Sequence, residues 1–184
     1  MFKVPDEDNR IFPNVHAPVI IKSGDKRILK PMRYRVRPAG SKEEVPSKYN
    51  VFNARLDALE TRKTWMPLFM SNHALFPFTN FYEWVEHEGK KKLITFKPED
   101  RDIMWAPALY DVWQSHDGRE RIESFALITT DPPPEIERMG HDRCPIFLKE
   151  EYIDDWLTPE NETRDEVYEM LKEQESVTYS YAWA

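Results

Sequence analysis

The sequence holds a single cysteine, Cys144, which excludes an internal disulfide. One thiol cannot build a thiolate metal centre either, and such sparing use fits a reducing compartment. Glycine is scarce, at five residues. No phosphate-cradling glycine loop, dinucleotide fingerprint or Gly-x-Ser-x-Gly elbow occurs. The five histidines (His16, His73, His87, His116, His141) show no metal-ligand spacing. A site without metal or cofactor is therefore expected. No run approaches the roughly 20 apolar residues of a membrane helix. The opening segment, Met1 to Asp8, lacks the apolar stretch of a secretory signal. A soluble, cytoplasmic chain with no membrane partner is the expectation, and a monomer the simplest state.

What is abundant is proline, with 15 residues. Proline removes a backbone donor and interrupts helices, so its spread favours short strands over a helix bundle. Val19–Lys22 and Arg27–Lys30 flank Ser23-Gly24-Asp25-Lys26 and predict a hairpin. Met32 to Val36 reads as a further strand, and Ala39 to Lys48 as a polar loop. Asn53 to Thr64 reads as an exposed turn running into a short helix. Strand-like stretches follow at Ala74–Glu86, Lys90–Phe96, Trp105–Gln114 and Glu123–Thr130. Short helices are expected at Pro133–Met139, Lys149–Leu157 and Glu162–Glu173. The last places Val167, Met170 and Leu171 at helical spacing behind an acidic first turn. The length suits one domain over residues 1–184. The expected fold is α+β, with a curved, barrel-like, mainly antiparallel sheet and a few flanking helices. Its core runs from about 14 to 157, followed by a helix and tail over about 158–184.

The net charge is −7, which by itself argues against a nucleic-acid partner. The distribution is uneven. From Ile21 to Lys63 there are twelve Lys/Arg against five Asp/Glu, and from Asp131 to Ala184 five against fifteen. Such a chain can still present a positive face, or both ends can be plain solvated surface.

Three segments set polar groups among apolar or turn-forming neighbours: Asn53-Ala54-Arg55-Leu56-Asp57, Phe81-Tyr82-Glu83-Trp84 and His141-Asp142-Arg143-Cys144-Pro145. Glu83 lies in an aromatic strand. A desolvated carboxyl there would shuttle protons near neutral pH, while an exposed one would be plain surface. His141 can serve as a general acid or base, or cap a turn. Arg143 can hold a phosphate in its planar fork, or pair with Asp142 or Glu150. Asn53 can bond a substrate or a buried chain end, or cap a helix. Arg55, Arg62 and Lys63 are candidate phosphate contacts, or a solvated helix face.

Taken together and in this order, the three segments resemble the SRAP family (SOS response-associated peptidase, the abasic-site-binding proteins). That family shows Asn-Ala-Arg-x-Glu, aromatic-Glu-Trp and His-x-Arg-x-Pro at similar spacings. Pro67-Leu68-Phe69, Ala106-Pro107-Ala108-Leu109-Tyr110, Phe125–Thr130 and Asn14-Val15-His16-Ala17-Pro18 extend the likeness from about Asn14 to Leu157. The resemblance implies a partner, single-stranded DNA carrying an abasic site. In the family a mature N-terminal cysteine supplies an amine, which forms a Schiff base with the opened sugar aldehyde, and a thiol, which closes a thiazolidine. The glutamate and histidine move protons, and the asparagine positions the N-terminal residue. Those roles fall to Glu83, His141 and Asn53. Phosphate contacts fall to Arg55 and Arg143, with Lys63 beside them, and Thr130 matches a site threonine.

The departures bear on chemistry. Position 2 is Phe2, and Cys144 carries no adjacent α-amine, so no thiazolidine is expected of the sequence as it stands. Asp57 replaces the family glutamate, and Arg33-Tyr34-Arg35 replaces a Trp-Gly turn near the DNA wedge. Residual Schiff-base chemistry at Met1, or at an amine exposed by processing, is one expectation. A binding or regulatory homologue without catalysis is another. A native start upstream with Met-Cys-Gly is a third. The family's peptidase label rests on removal of its own first methionine, and general protease activity is not expected.

Overall fold

The computed structural model describes residues 3–5 and 8–184. Expectations that concern Met1 and Phe2 lie outside the described residues. The strands are β1 (His16–Ser23), β2 (Lys26–Tyr34), β3 (Asn53–Arg55), β4 (His73–Phe78), β5 (Phe81–His87), β6 (Lys90–Pro98), β7 (Met104–Gln114), β8 (Arg121–Thr130), β9 (Cys144–Pro145) and β10 (Tyr179–Trp183). The helices are α1 (Pro134–Glu137), α2 (Ile153–Trp156) and α3 (Arg164–Lys172).

One sheet runs β2-β1-β4-β7-β8, and a parallel pairing of β2 with β8 closes these five strands into a barrel. The expected hairpin forms β1 and β2, in register from His16↔Arg33 to Ser23↔Lys26. Gly24, with φ +57, takes the first place of its two-residue turn, where a side chain would be strained. The barrel strands bury alternate positions. Ala17, Val19, Met32, Phe76 and Phe125 pack inside one cluster. On the outside of the barrel, α2 and α3 complete a second cluster around Leu75, Leu109, Ile128 and Trp156. Trp156 is fully buried, donates from Nε1 to the Ala74 carbonyl at 2.8 Å, and stacks on His73 at 3.7 Å. α3 begins with a capping box between Thr163 and Glu166, which satisfies donors the helix cannot.

The edge of β8 positions the site. β2 pairs with its Ser124–Phe125 stretch, and the chain then leaves the edge. It returns as β3, parallel to Leu127–Thr129. On the opposite edge, β9 pairs with Thr129–Thr130, where β8 has parted from β7. The last turn of β8 is thus flanked by Arg55 on one side and by the His141–Pro145 segment on the other.

A second, three-stranded sheet has the order β10-β6-β5. Phe81, Val85, Ile94 and Phe96 bury against Met104 of β7, Ile136 of α1, Cys144 of β9 and Phe147. This cluster fastens the small sheet to the barrel.

Several expectations are corrected. Met32 to Val36 is no separate strand, since Met32–Tyr34 continues β2. Asn53–Arg55 is a strand, because β8 offers it an open edge, and only a 3-10 turn (Leu56–Ala58) follows. Ala74–Glu86 divides at Thr79-Asn80 into β4 and β5, which belong to different sheets. Lys149–Leu157 is a 3-10 turn followed by the single turn of α2. The tail contains β10, whose Tyr-Ser-Tyr-Ala-Trp alternation was a legible strand signal.

Candidate functional site

Glu83 sits between Phe81 and Val85 on one face of β5, and both of those neighbours are buried. Alternation therefore drives its carboxyl toward the barrel, while Trp84 points to solvent with 58% exposure. The loop carrying His141 is anchored at both ends. Ile136 of α1 and Cys144 of β9 are buried in the cluster that holds Phe81 and Val85. The result is direct contact: His141 Nε2 lies 2.8 Å from Glu83 Oε2, with the two side chains only 18% and 23% exposed.

The histidine's other nitrogen, Nδ1, is 2.8 Å from the Arg143 carbonyl and 3.2 Å from the Arg143 amide. The shorter contact suits an Nδ1–H that donates to the carbonyl. In the imidazolium form a second N–H faces the carboxylate, whereas in the neutral ring Nδ1 can instead accept from the Arg143 amide. The His141 pKa lies above the ordinary histidine value. The hydrogen bond to Glu83 raises it most, burial opposes, and the Glu83 charge and Arg143 carbonyl add to the rise.

Asn53 is reached through a residue that sequence reasoning passed over. The Tyr34 hydroxyl donates to Asn53 Oδ1 at 2.7 Å. Burial pushes the Tyr34 phenol up, and the nearby Glu83 charge pushes it further. Tyr34 thus bonds the asparagine, feels the charge of Glu83, and stays neutral. Its only sequence signal was its place in Arg33-Tyr34-Arg35, where aromatic character alone gave no hint of a polar role.

Arg55, Arg143 and Thr130 line one open cleft of about 340 Å³, whose walls do not include Asn53, Glu83 or His141. Asp57, Glu60, Asp131, Thr129 and Lys172 line it too. Its charged walls are therefore balanced, three bases against three acids. Arg55 is held by Asp57 through two hydrogen bonds of 2.8 and 2.7 Å, so its fork is filled. The Asp57 carboxyl is held below the usual range chiefly by that bond. Among the described residues Arg143 makes no ion pair, neither with Asp142 nor with Glu150. The Thr129 hydroxyl, buried at the cleft wall, has no partner among the described residues. Lys63 is exposed on the turn-rich segment after β3 and does not line the cleft, and Arg62 is exposed there as well.

Cys144 is 2% exposed, and burial drives its thiol pKa upward. It packs as an apolar residue. The described residues contain no group of three or more His, Cys, Asp or Glu placed to hold a metal ion.

The fold agrees with comparisons to known proteins. The sequence matches the family described as SOS response associated peptidase (SRAP) over residues 3–182, and the chain belongs to that family. It is similar to the abasic site processing protein YoaM of Bacillus subtilis, at 26% identity over 162 residues, covering 88% of this chain and 70% of the relative. It is also similar to the abasic site processing protein HMCES of Gallus gallus, at 24% identity, covering 84% of this chain and 52% of that protein. A crystal structure of a Bordetella bronchiseptica protein superposes with a TM-score of 0.80 at 23% identity, covering all of this chain and 89% of that one. A Bacteroides thetaiotaomicron protein gives 0.78 at 22% identity, covering 92% and 74%.

Proposed function

We propose that this protein binds abasic sites in single-stranded DNA and that Glu83 and His141 move the protons of a Schiff-base step there. The observation that carries this reading is the 2.8 Å Glu83–His141 contact, two residues along the chain from Arg143 of the cleft wall, in a chain of this family. The relatives' designation as abasic site processing proteins supplies the substrate class.

An opened abasic sugar presents an aldehyde. An amine of the protein attacks its carbonyl carbon and forms a carbinolamine. Glu83 accepts a proton from the amine as the C–N bond forms and returns it to the former carbonyl oxygen, giving the neutral carbinolamine. His141, as imidazolium, donates a proton to the departing hydroxyl, so that water leaves and the C=N bond remains. Asn53, oriented by Tyr34, positions the reacting group. Arg143, which makes no ion pair, contacts the strand's phosphates with Thr130; Arg55 joins when a phosphate displaces Asp57 from its fork, and Lys63 meets the strand outside the cleft. Cys144 takes no part, because its thiol is buried within a packed cluster.

Reduction with borohydride traps a Schiff base as a stable adduct. Wild-type protein mixed with a single strand carrying one abasic site is expected to give a trapped band on a denaturing gel. Glu83→Gln is expected to slow its formation about a hundredfold, within the range for general acid–base groups. If no band forms and abasic and intact strands bind equally, the lesion-specific reading fails. The filled fork of Arg55 and the balanced cleft favour a second reading, a binding protein without catalysis. In that case Glu83→Gln leaves every strand-binding property unchanged.

A further inference from the structure

Between β2 and β3 the chain makes a detour away from β8, and this strap is pinned. The Ala39 amide donates to Asp111 Oδ2 at 2.8 Å. Trp113 Nε1 donates to the Ser41 carbonyl at 2.7 Å. Arg35 Nη2 donates to the carbonyls of Val45 and Pro46 at 2.8 and 3.1 Å. Lys42, Glu43 and Glu44 lie between these pins, all exposed.

Beneath them two guanidinium groups converge. Arg37 sits over the Trp113 ring, with Cζ 3.3 Å from the centroid. Arg33 is steadied by its Nε, which donates to the Arg35 carbonyl at 3.2 Å. Their side chains are 13% and 11% exposed, for Arg33 and Arg37 in turn. Both meet one carboxylate. Arg33 donates to both oxygens of Glu44, at 2.7 and 3.2 Å, and Arg37 Nη1 reaches Oε1 at 3.5 Å. The glutamate is the exposed member, at 45%.

Two fixed positive forks share one carboxylate, and the buried Nε of Arg37 has no partner among the described residues, so the pair keeps unfilled donors. Planar forks that are already ordered lose little freedom on gripping an oxyanion. A phosphate group offers more acceptor oxygens than a carboxylate and suits such a pair better. The Glu44 side chain can turn outward about its own torsions while every backbone pin of the strap stays made. We infer that Arg33 and Arg37 form a clamp for a backbone phosphate of a nucleic-acid strand, and that Glu44 occupies the clamp until a phosphate displaces it. The choice of a strand as ligand rests on the proposed function. The anion preference of the clamp rests on the geometry alone.

The test uses the full chain and a fluorescein-labelled intact oligothymidylate strand, read by anisotropy across a salt series. Glu44→Gln empties the clamp of its charge. Glu43→Gln, on the same strap, changes net charge equally and serves as the control. Glu44→Gln is expected to bind about threefold or more tighter, and to steepen the salt dependence by about 0.7 for each phosphate gained. Glu43→Gln is expected to match wild type. Adding Arg33→Gln to Glu44→Gln removes the gain, with a thermal melt confirming the fold. Inorganic phosphate at constant ionic strength competes more strongly against Glu44→Gln than against wild type. Equal affinity and equal salt slope for the two glutamine variants, or no added competition by phosphate, overturns the clamp. Failure of the proposed function shows elsewhere, as loss of borohydride trapping on abasic DNA.

Discussion

Replacing Glu83 by glutamine keeps the side chain's shape and removes its charge. In the native protein His141 faces that charge at 2.8 Å, and its pKa is raised. A group with a raised folded pKa contributes stability that is fully present below its unfolded value, about 6.5 for histidine. That contribution is lost as pH climbs through the folded pKa. A hydrogen bond between charged partners is worth about 1.5–3 kcal/mol, against about 1 kcal/mol for a neutral one. The two side chains are about one-fifth exposed, so solvent screening is partial. Glu83→Gln should therefore cost about 1–2 kcal/mol at pH 5.5 and only a few tenths at pH 9. Urea unfolding at pH 5.5, 7.5 and 9 measures the difference. In an NMR titration the His141 midpoint should fall toward the ordinary histidine value. A loss of the same size at all three pH values would refute the imidazolium–carboxylate pair.

His73 should dominate the acid side of the stability curve. It is buried, its Nδ1 donates to the Trp156 carbonyl at 2.8 Å, and burial lowers its pKa to about 4. The unfolded chain therefore binds the extra proton between about pH 6.5 and 4, and stability falls as pH drops through that window, by up to roughly 3 kcal/mol. Urea midpoints over pH 4–7 should show this slope, and His73→Gln should flatten it. Cys144 should resist thiol reagents in the native protein and react readily in urea, which a dithionitrobenzoate assay reads. Thr163→Ala removes the α3 capping box and should cost about 1 kcal/mol in thermal or urea unfolding without altering strand binding.

Much of the site was legible along the chain because its groups lie in three short, chemically distinctive segments. The structure sets Glu83 against His141, and Arg55 with Arg143 around one cleft. Tyr34 was not legible, since a tyrosine at a strand end carries no mark of the asparagine it will meet. Nor was the occupation of Arg55 by Asp57: an Arg-x-Asp spacing permits a pair without requiring it. Lys63 shows the reverse, a plausible cation that the turns after β3 carry away from the cleft.

Local pattern alone determined the β1–β2 hairpin, the long β7 and β8 strands, α3, and the alternation that puts Glu83 and Trp84 on opposite faces of β5. These depend on neighbours within a few residues, where period and turn chemistry suffice. Tertiary structure alone decided that β4 and β5 part into separate sheets, that Asn53–Arg55 becomes a strand, and that His141 meets a carboxylate 58 positions earlier in the chain. Each of those outcomes depends on which edge of β8 is open and which apolar faces must be covered together. No local stretch of residues carries that information.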